Sequence, residues 1–214
     1  MKTNLADIRQ EYTRSGLREN ELPGDPLSLF SRWLQEAIDA EVDEPTAVIV
    51  GTVSPEGRPS TRTVLLKGLH DGKFVFYTNY ESRKGRQLAQ NPYISLSFVW
   101  HALERQVHIE GTAAKVPPEE SDEYFRVRPY KSRIGARISP QSQPVKSRMQ
   151  LMRAFVKEAA RWIGKNVERP RNWGGYAVTP TRMEFWQGRP NRLHDRFLYT
   201  LQPDGEWEIS RLAP

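Results

Sequence analysis

The chain has 214 residues, a formal charge of +6, 37% hydrophobic and 27% charged residues, and no cysteine. Those proportions suit a soluble globular protein with a packed core. The missing cysteine excludes disulfides, thiolate nucleophiles, iron–sulfur ligation and cysteine zinc sites. No apolar run approaches the roughly 20 residues needed to cross a bilayer, so no membrane association is expected. Met1 to Gln10 mixes Lys2, Asp7 and Arg9 with few apolar residues. That does not read as a signal peptide, and a cytoplasmic location is expected. None of His70, His101, His108 and His194 has a partner at helical metal-ligand spacing, so no metal is expected. The positive surplus favours anionic partners. The basic residues sit inside patterned segments, often beside acids, as in Glu81-Ser82-Arg83-Lys84. This suits small phosphate pockets better than a nucleic-acid track, and no nucleic acid is expected.

In chain order, residues 1–20 are polar and read as a mobile segment, with a short helix ending near Gly16. Asp25-Pro26 starts a helix, Asp as N-cap and Pro at the first helical position. Leu27, Phe30, Leu34 and Ile38 are its expected apolar face. Ala47 to Val53 is β-rich and ends at the turn Ser54-Pro55-Glu56-Gly57. A second strand is expected over Thr61 to Leu69, a hairpin at Asp71-Gly72, and a third strand over Phe74 to Thr78. Glu81 to Gln90 reads as a short helix. Ile94 to Trp100 and Gln106 to Val116 read as strands. Pro117 opens a helix through Phe125, and a second covers Ser132 to Ile138. The longest helix is expected over Lys146 to Gly164, burying Met149, Met152, Phe155, Val156 and Trp162. Strands return at Gly175 to Thr179, Arg182 to Gln187, Arg192 to Leu201 and Trp207 to Leu212, the last two joined at Asp204-Gly205.

Strands joined by short turns pair antiparallel. The pattern therefore predicts a mainly β fold with α: a closed or partly closed antiparallel barrel with peripheral helices, one domain over residues 21–214. No GxGxxG or GxxxxGK[ST] phosphate loop is present, which argues against a doubly wound nucleotide fold.

The basic clusters carry the candidate chemistry. Arg62 and Lys67 fall on one expected strand, five apart, so they face opposite sides and could touch two different anions. Arg83 and Lys84 begin a helix, where cationic side chains and free N–H groups can cradle a phosphate. Solvated surface charge is the plainer explanation of an isolated pair of this kind. Tyr124, Arg128 and Ser132 are spaced by four and would share one side of a helix, although Pro129 opposes an unbroken one. A helix end with a basic cap commonly produces such a pattern. Gln141 and Ser142 lie in a polar loop.

The densest segment runs from Glu184 to Arg196. Arg192, His194 and Arg196 alternate with Leu193 and Asp195. In a strand the three basic groups would share a face and repel one another unless an anionic or electron-rich ligand lay against them. Trp186 offers a flat surface for an aromatic ring. The alternative is an edge strand with solvated charges. Gln106 could hydrogen-bond a heterocycle or be a satisfied turn residue. His101 and His108 read as structural, and Trp173-Gly174-Gly175 as a tight turn with a packing aromatic.

Arg62-Thr63-Val64-Leu65-Leu66-Lys67, Phe76-Tyr77-Thr78-Asn79, Ser82-Arg83-Lys84, Glu104-Arg105-Gln106-Val107 and Glu184-Phe185-Trp186-Gln187 with Arg192-Leu193-His194-Asp195-Arg196 together resemble the pyridoxine/pyridoxamine 5'-phosphate oxidase family. The resemblance runs from about Arg9 to Pro214, and the last segment is the most specific. It implies an FMN-binding split β-barrel working as a homodimer, each flavin held between subunits. It assigns Arg62, Arg83, Lys84 and Ser142 to the FMN phosphate and ribityl region. Thr63, Val64, Leu65, Leu66, Lys67, Tyr77, Thr78, Gln106, Gln141, Trp186 and Arg196 complete the flavin site. Lys67, Tyr124, Arg128 and Ser132 would grip the substrate phosphate. Arg192, Leu193 and His194 would lie by the substrate ring, with Arg192 and His194 catalytic. Arg9 and Tyr12 would close over it. The implied reaction oxidises pyridoxine and pyridoxamine 5'-phosphates to pyridoxal 5'-phosphate, with hydride transfer to FMN and reoxidation by O2 to H2O2. Competing expectations are a sister flavin oxidase acting on another reduced aromatic such as a dihydrophenazine precursor, a non-catalytic FMN-binding protein, and a nucleic-acid-binding barrel.

Overall fold

The computed structural model describes Tyr12 and residues 16–214. Arg9 and most of the expected mobile segment lie outside the described residues. The elements are α1 (Pro26–Asp39), β1 (Ala47–Val53), β2 (Pro59–Leu65), β3 (Gly68–His70), β4 (Lys73–Asn79), α2 (Arg83–Gln90), β5 (Tyr93–Trp100), β6 (Arg105–Lys115), α3 (Pro118–Val127), α4 (Tyr130–Ile138), α5 (Arg148–Arg161), β7 (Trp173–Gln187), β8 (Asp195–Leu201) and β9 (Trp207–Arg211). The strands hydrogen-bond in the order β2-β1-β5-β6-β7-β4-β3, with β8 on β7 and β9 on β8. The chain divides into two compact units. Unit 1 holds residues up to Ile49, Ser95–Glu110 and Pro180–Pro214; unit 2 holds Val50–Ile94 and Gly111–Thr179.

In unit 1, Asp25 caps α1 by accepting from the Leu27 and Ser28 amides. The helix buries Leu29, Phe30, Trp33 and Ala37, not the expected face: Ile38 is exposed, and Leu27 and Leu34 are half-buried. Two apolar stripes share Phe30. The one carrying Trp33 prevails because its ring packs edge-on against Phe185, while Phe30 meets Phe98, and large aromatics dominate buried area. The second half of β7 pairs antiparallel with β8, and β8 with β9.

In unit 2, β3 and β4 form a hairpin through Asp71 and Gly72, both left-handed (φ 51° and 72°) as a tight two-residue turn requires. β4 pairs along its other edge with the start of β7, Phe74 with Val178 through Asn79 with Trp173. Helices α3 and α4 are separate, as Pro129 dictates, and with α5 they cover a core of Phe125, Ile134, Val167 and Trp173.

Several expectations need correction. The strand expected over Thr61 to Leu69 is broken: β2 ends at Leu65 and pairs with β1, β3 begins at Gly68 and pairs with β4, and Leu66 turns into the core between them. Arg62 and Lys67 therefore do not share one regular strand. The two strands expected over Gly175 to Gln187 are one, and Trp173-Gly174-Gly175 is its beginning, not a turn. Pro180 is tolerated because it falls between Val178, the last residue paired to β4, and Arg182, the first paired to β8. The strand expected from Arg192 begins only at Asp195. Pro190–Arg192 is a 3-10 turn with Asn191 and Arg192 at positive φ, so Arg192, His194 and Arg196 do not alternate along one strand. Finally, α5 buries no residue completely, and Met149, Met152 and Val156 are exposed. Only its Phe155, Ala159 and Trp162 stripe meets the core.

Candidate active site

A cleft of about 320 Å³ opens in unit 2. Its walls come from four places: Thr63, Val64 and Leu65 of β2 with Lys67 just after it; Tyr77 and Thr78 of β4; Lys84 of α2; and Tyr124, Arg128 and Gln141 from the helical region, with Trp173 behind. Ten of the residues assigned above from the sequence thus meet in one place.

The cations of this region are held by neutral groups. The Arg62 guanidinium donates to Val50 O (3.2 Å), Thr52 Oγ1 (2.6 Å) and Ser60 Oγ (2.8 Å). Burial, then the charge of Arg83, pushes its pKa down. Ser82 caps α2 by accepting from the Gly85 amide, which sets Arg83 and Lys84 in the first turn. Lys84 is buried and its Nζ donates to Thr78 Oγ1 at 3.0 Å. Burial, then Arg62, pushes its pKa down to about 8. Gln141 Oε1 accepts from Thr78 Oγ1 and the Asn79 amide (3.3 and 3.2 Å), which pins the loop after α4 to β4. Among the described residues, no ion pair to a carboxylate neutralises Arg62, Lys84 or Arg128. A cluster of unneutralised, partly dehydrated cations is costly alone and fits an anionic ligand.

The aromatic wall is a stack. Tyr77 lies parallel to Tyr124 (4.0 Å, 18°) and to Trp173 (5.5 Å, 11°). Tyr77 donates to Glu120 (3.3 Å), and its pKa is raised by burial and then by that carboxylate. Two glycines allow β7 to lie against this wall. A Cβ on Gly174 would stand 2.1 Å from Tyr80 Oη, and one on Gly175 2.9 Å from the Tyr77 ring. Arg128, at the end of α3, lies over the Trp173 ring at 4.5 Å. Its Nη1 is buried with no hydrogen-bond partner among the described residues. Buried donors without partners are rare, and here the side chain that carries it lines an open cleft. Ser132 lines a neighbouring cleft that shares Arg128, Gln141 and Trp173. Arg83 and Ser142 are exposed, the latter at φ 68°. Leu66 belongs to the core.

Unit 1 gathers a second group. Trp186 and His194 pack at 4.6 Å, and Tyr12 meets both edge-on at 5.5 Å. His194 Nδ1 accepts from the Arg189 amide at 3.1 Å. In the neutral ring that leaves the proton on Nε2. Burial and then Arg192 push the His194 pKa down, favouring that neutral form. Arg192 and Leu193 are exposed. Arg196 is tied to Glu184 (2.7 Å) and to Ala213 O (2.8 Å). Gln106 Oε1 bonds His108, whose other nitrogen meets Ser97, so both ring nitrogens of His108 have partners within the chain. Among the described residues no metal-holding cluster of His, Asp and Glu exists, and no helix is long and apolar enough to cross a membrane.

The set fits FMN. A phosphate matches the chemistry of the Arg62, Arg83 and Lys84 group at a helix start, and Arg128, with its Nη1 unpartnered among the described residues, is a further cation on the same cleft. Trp173 was missed as part of the site. Its signal was the Trp-Gly-Gly sequence, whose glycines are needed for close approach to bulky rings.

Comparison with known proteins agrees. Residues 34–166 match the family model described as pyridoxamine 5'-phosphate oxidase, and residues 173–214 match that of the pyridoxine 5'-phosphate oxidase C-terminal dimerisation region. The chain is 90% identical over 211 residues to a pyridoxine/pyridoxamine 5'-phosphate oxidase of Bacteroides thetaiotaomicron, covering 99% of each. It is 55% identical to one of Porphyromonas gingivalis over the full length of both. Among solved structures, PhzG of Burkholderia lata in complex with tetrahydrophenazine-1-carboxylic acid aligns with TM-score 0.86 and 30% identity, covering 91% of this chain and 95% of that one. A pyridoxamine 5'-phosphate oxidase-related, FMN-binding protein of Nostoc punctiforme aligns at TM-score 0.72 and 18% identity, over 89% and 98%. These likenesses bear out the antiparallel split-barrel fold with peripheral helices.

Proposed function

The chain belongs to the pyridoxamine 5'-phosphate oxidase family, and from that premise we propose that it is an FMN-dependent oxidase converting pyridoxine and pyridoxamine 5'-phosphates to pyridoxal 5'-phosphate. One observation carries this reading: a single cleft joins unneutralised cations, an aromatic stack and a buried, unpartnered guanidinium nitrogen. A phosphorylated aromatic needs that combination.

When bound, FMN would supply the redox chemistry, taking a hydride from the C4' carbon of the substrate and passing it, with the proton the substrate releases, to O2 as H2O2; for the amine substrate, water would then hydrolyse the resulting imine to the aldehyde and ammonia. The chain supplies binding, orientation and charge. Arg62, Arg83, Lys84 and Ser142 hold the FMN phosphate and ribityl chain, and Thr63, Val64, Leu65, Tyr77, Thr78 and Gln141 line its path. Gln106, Trp186 and Arg196 are assigned to the flavin by the family resemblance. Lys67, Tyr124, Arg128 and Ser132 hold the substrate phosphate, so a ring with its reactive carbon is presented in one orientation. His194, neutral and with its proton on Nε2, can donate a hydrogen bond to the substrate ring or its substituent. Arg192 orients the substrate, with Leu193 and Tyr12 beside it. The match of residues 173–214 to a dimerisation region supports a homodimer.

The likeness to PhzG supports a second reading, oxidation of a reduced phenazine precursor. The set of Lys67, Tyr124, Arg128 and Ser132 favours the first reading, because it offers more donors and more positive charge than the single carboxylate of such a precursor would use. The test is to mix FMN-loaded protein with pyridoxine 5'-phosphate in air and follow the pyridoxal 5'-phosphate absorbance band. Catalytic growth of that band is expected. Bound flavin that the substrate cannot reduce without air would instead leave a flavin carrier.

A further inference from the structure

We infer that Trp173 is a positioning residue for substrate: its indole face holds the Arg128 guanidinium so that the cation stays aimed at a phosphate without being neutralised by the protein. The inference rests on the reading of Arg128 as a phosphate ligand and assigns a role to a residue that reading left out.

Arg128 follows the last turn of α3 and precedes Pro129, so helix hydrogen bonding gives its side chain no support. Among the described residues it forms no ion pair, and its Nη1 is buried and unpartnered. What lies against it is aromatic. Trp173 stands 4.5 Å from its Cζ, and Phe125 stands 5.7 Å away. A carboxylate in that place would bind the same donors a phosphate needs and cancel the charge. An aromatic face attracts the cation through its quadrupole and uses no N–H. The guanidinium is thus held without the protein taking up its donors.

Trp173 is itself held firmly. Its amide donates to Pro170 O (3.0 Å), its carbonyl accepts from Arg169 Nη1 (2.7 Å), and it pairs with Asn79 of β4. Its ring also lies parallel to Tyr124 (6.2 Å, 8°), another member of the phosphate-holding set. It lines both clefts that share Arg128. One side chain is therefore ringed by two members of that set.

The test uses the FMN-loaded protein and Trp173→Leu, which keeps an apolar filler but removes the π face; Trp173→Met replaces it if leucine prevents folding. Loss of the cation–π contact should raise KM for pyridoxine 5'-phosphate on the order of tenfold, with kcat within about twofold. Calorimetric titration with inorganic phosphate should show the same loss, the relevant component being the one that Arg128→Ala abolishes. FMN affinity should hold within about twofold, and Trp173→Phe should restore most of the lost affinity. The inference is overturned if Trp173→Leu binds phosphate as the parent does, if Arg128→Ala abolishes no component, or if kcat, KM and FMN affinity all deteriorate together and phenylalanine rescues none. If the parent protein does not turn over pyridoxine 5'-phosphate, the proposed function fails, and the phosphate titration alone still decides the role of Trp173.

Discussion

In unit 1 arginines face carboxylates: the half-buried Arg105 meets Glu36, the half-buried Arg196 meets Glu184, and the exposed Arg211 meets Glu19 and Asp195. In unit 2, Lys84 of the cleft and the nearby Arg62 are held by hydroxyls and a carbonyl, and Arg128 by an aromatic face. The residue types are the same and the outcomes differ. A cation matched by a carboxylate fastens the chain to itself. A cation held by neutral groups keeps its charge available, at a cost visible in the lowered proton affinities of Arg62, Lys84 and Arg128. Around the cleft the fold thus keeps carboxylates from these three cations.

The largest expected effect comes from removing a withheld charge. Lys84→Met should weaken FMN binding roughly a hundredfold, about what one buried charge-assisted hydrogen bond contributes. Apo-protein stability should not fall, because an apolar group in that buried place removes a desolvation cost. Flavin fluorescence quenching and thermal melts measure the two. Unchanged FMN affinity would mean that Lys84 serves the fold, and the contrast between the two regions would collapse.

The next effect is on pH dependence. Without cofactor, folded Lys84 loses its proton near pH 8, whereas the unfolded side chain keeps it to 10.5. Between these values the folded state binds fewer protons, so apo stability rises with pH. Affinity for a phosphate runs the opposite way, because it needs the ammonium form. The FMN dissociation constant should be flat from about pH 7 to 8 and then rise by up to about tenfold per pH unit. Lys84→Arg should flatten that rise, since a guanidinium stays protonated. A profile in the parent protein that is level through pH 9.5 would remove Lys84 from the phosphate site.

The smallest effect on binding belongs to a matched cation. Arg105 pairs with Glu36, donates to Gln187 (2.9 Å) and lies over Trp33 (4.5 Å). Arg105→Leu should cost about 2 kcal/mol of stability and shift FMN affinity by no more than about twofold. A loss of flavin at unchanged melting temperature would place Arg105 in the site and blur the distinction.

Much of this was legible in the sequence because it depends on neighbours along the chain. The hairpin at Asp71-Gly72, the cap at Asp25 and the helix break at Pro129 are local steric and hydrogen-bonding facts. So is the presence of cations at Arg62, Lys67, Lys84 and Arg128, which the family resemblance sorted into two phosphate sites. Tertiary structure decided the rest. Which of two stripes α1 buries depended on Phe98 and Phe185. The break between β2 and β3, and the uninterrupted β7, followed from a change of partner strand that no local pattern records. The Arg192–His194 alternation gave way to a turn. Above all, a sequence shows where arginines are but not which of them meet a carboxylate. That depends on residues far apart in the chain, such as Arg105 and Glu36 or Arg128 and Trp173. Their pairing or isolation is what separates the scaffold from the site.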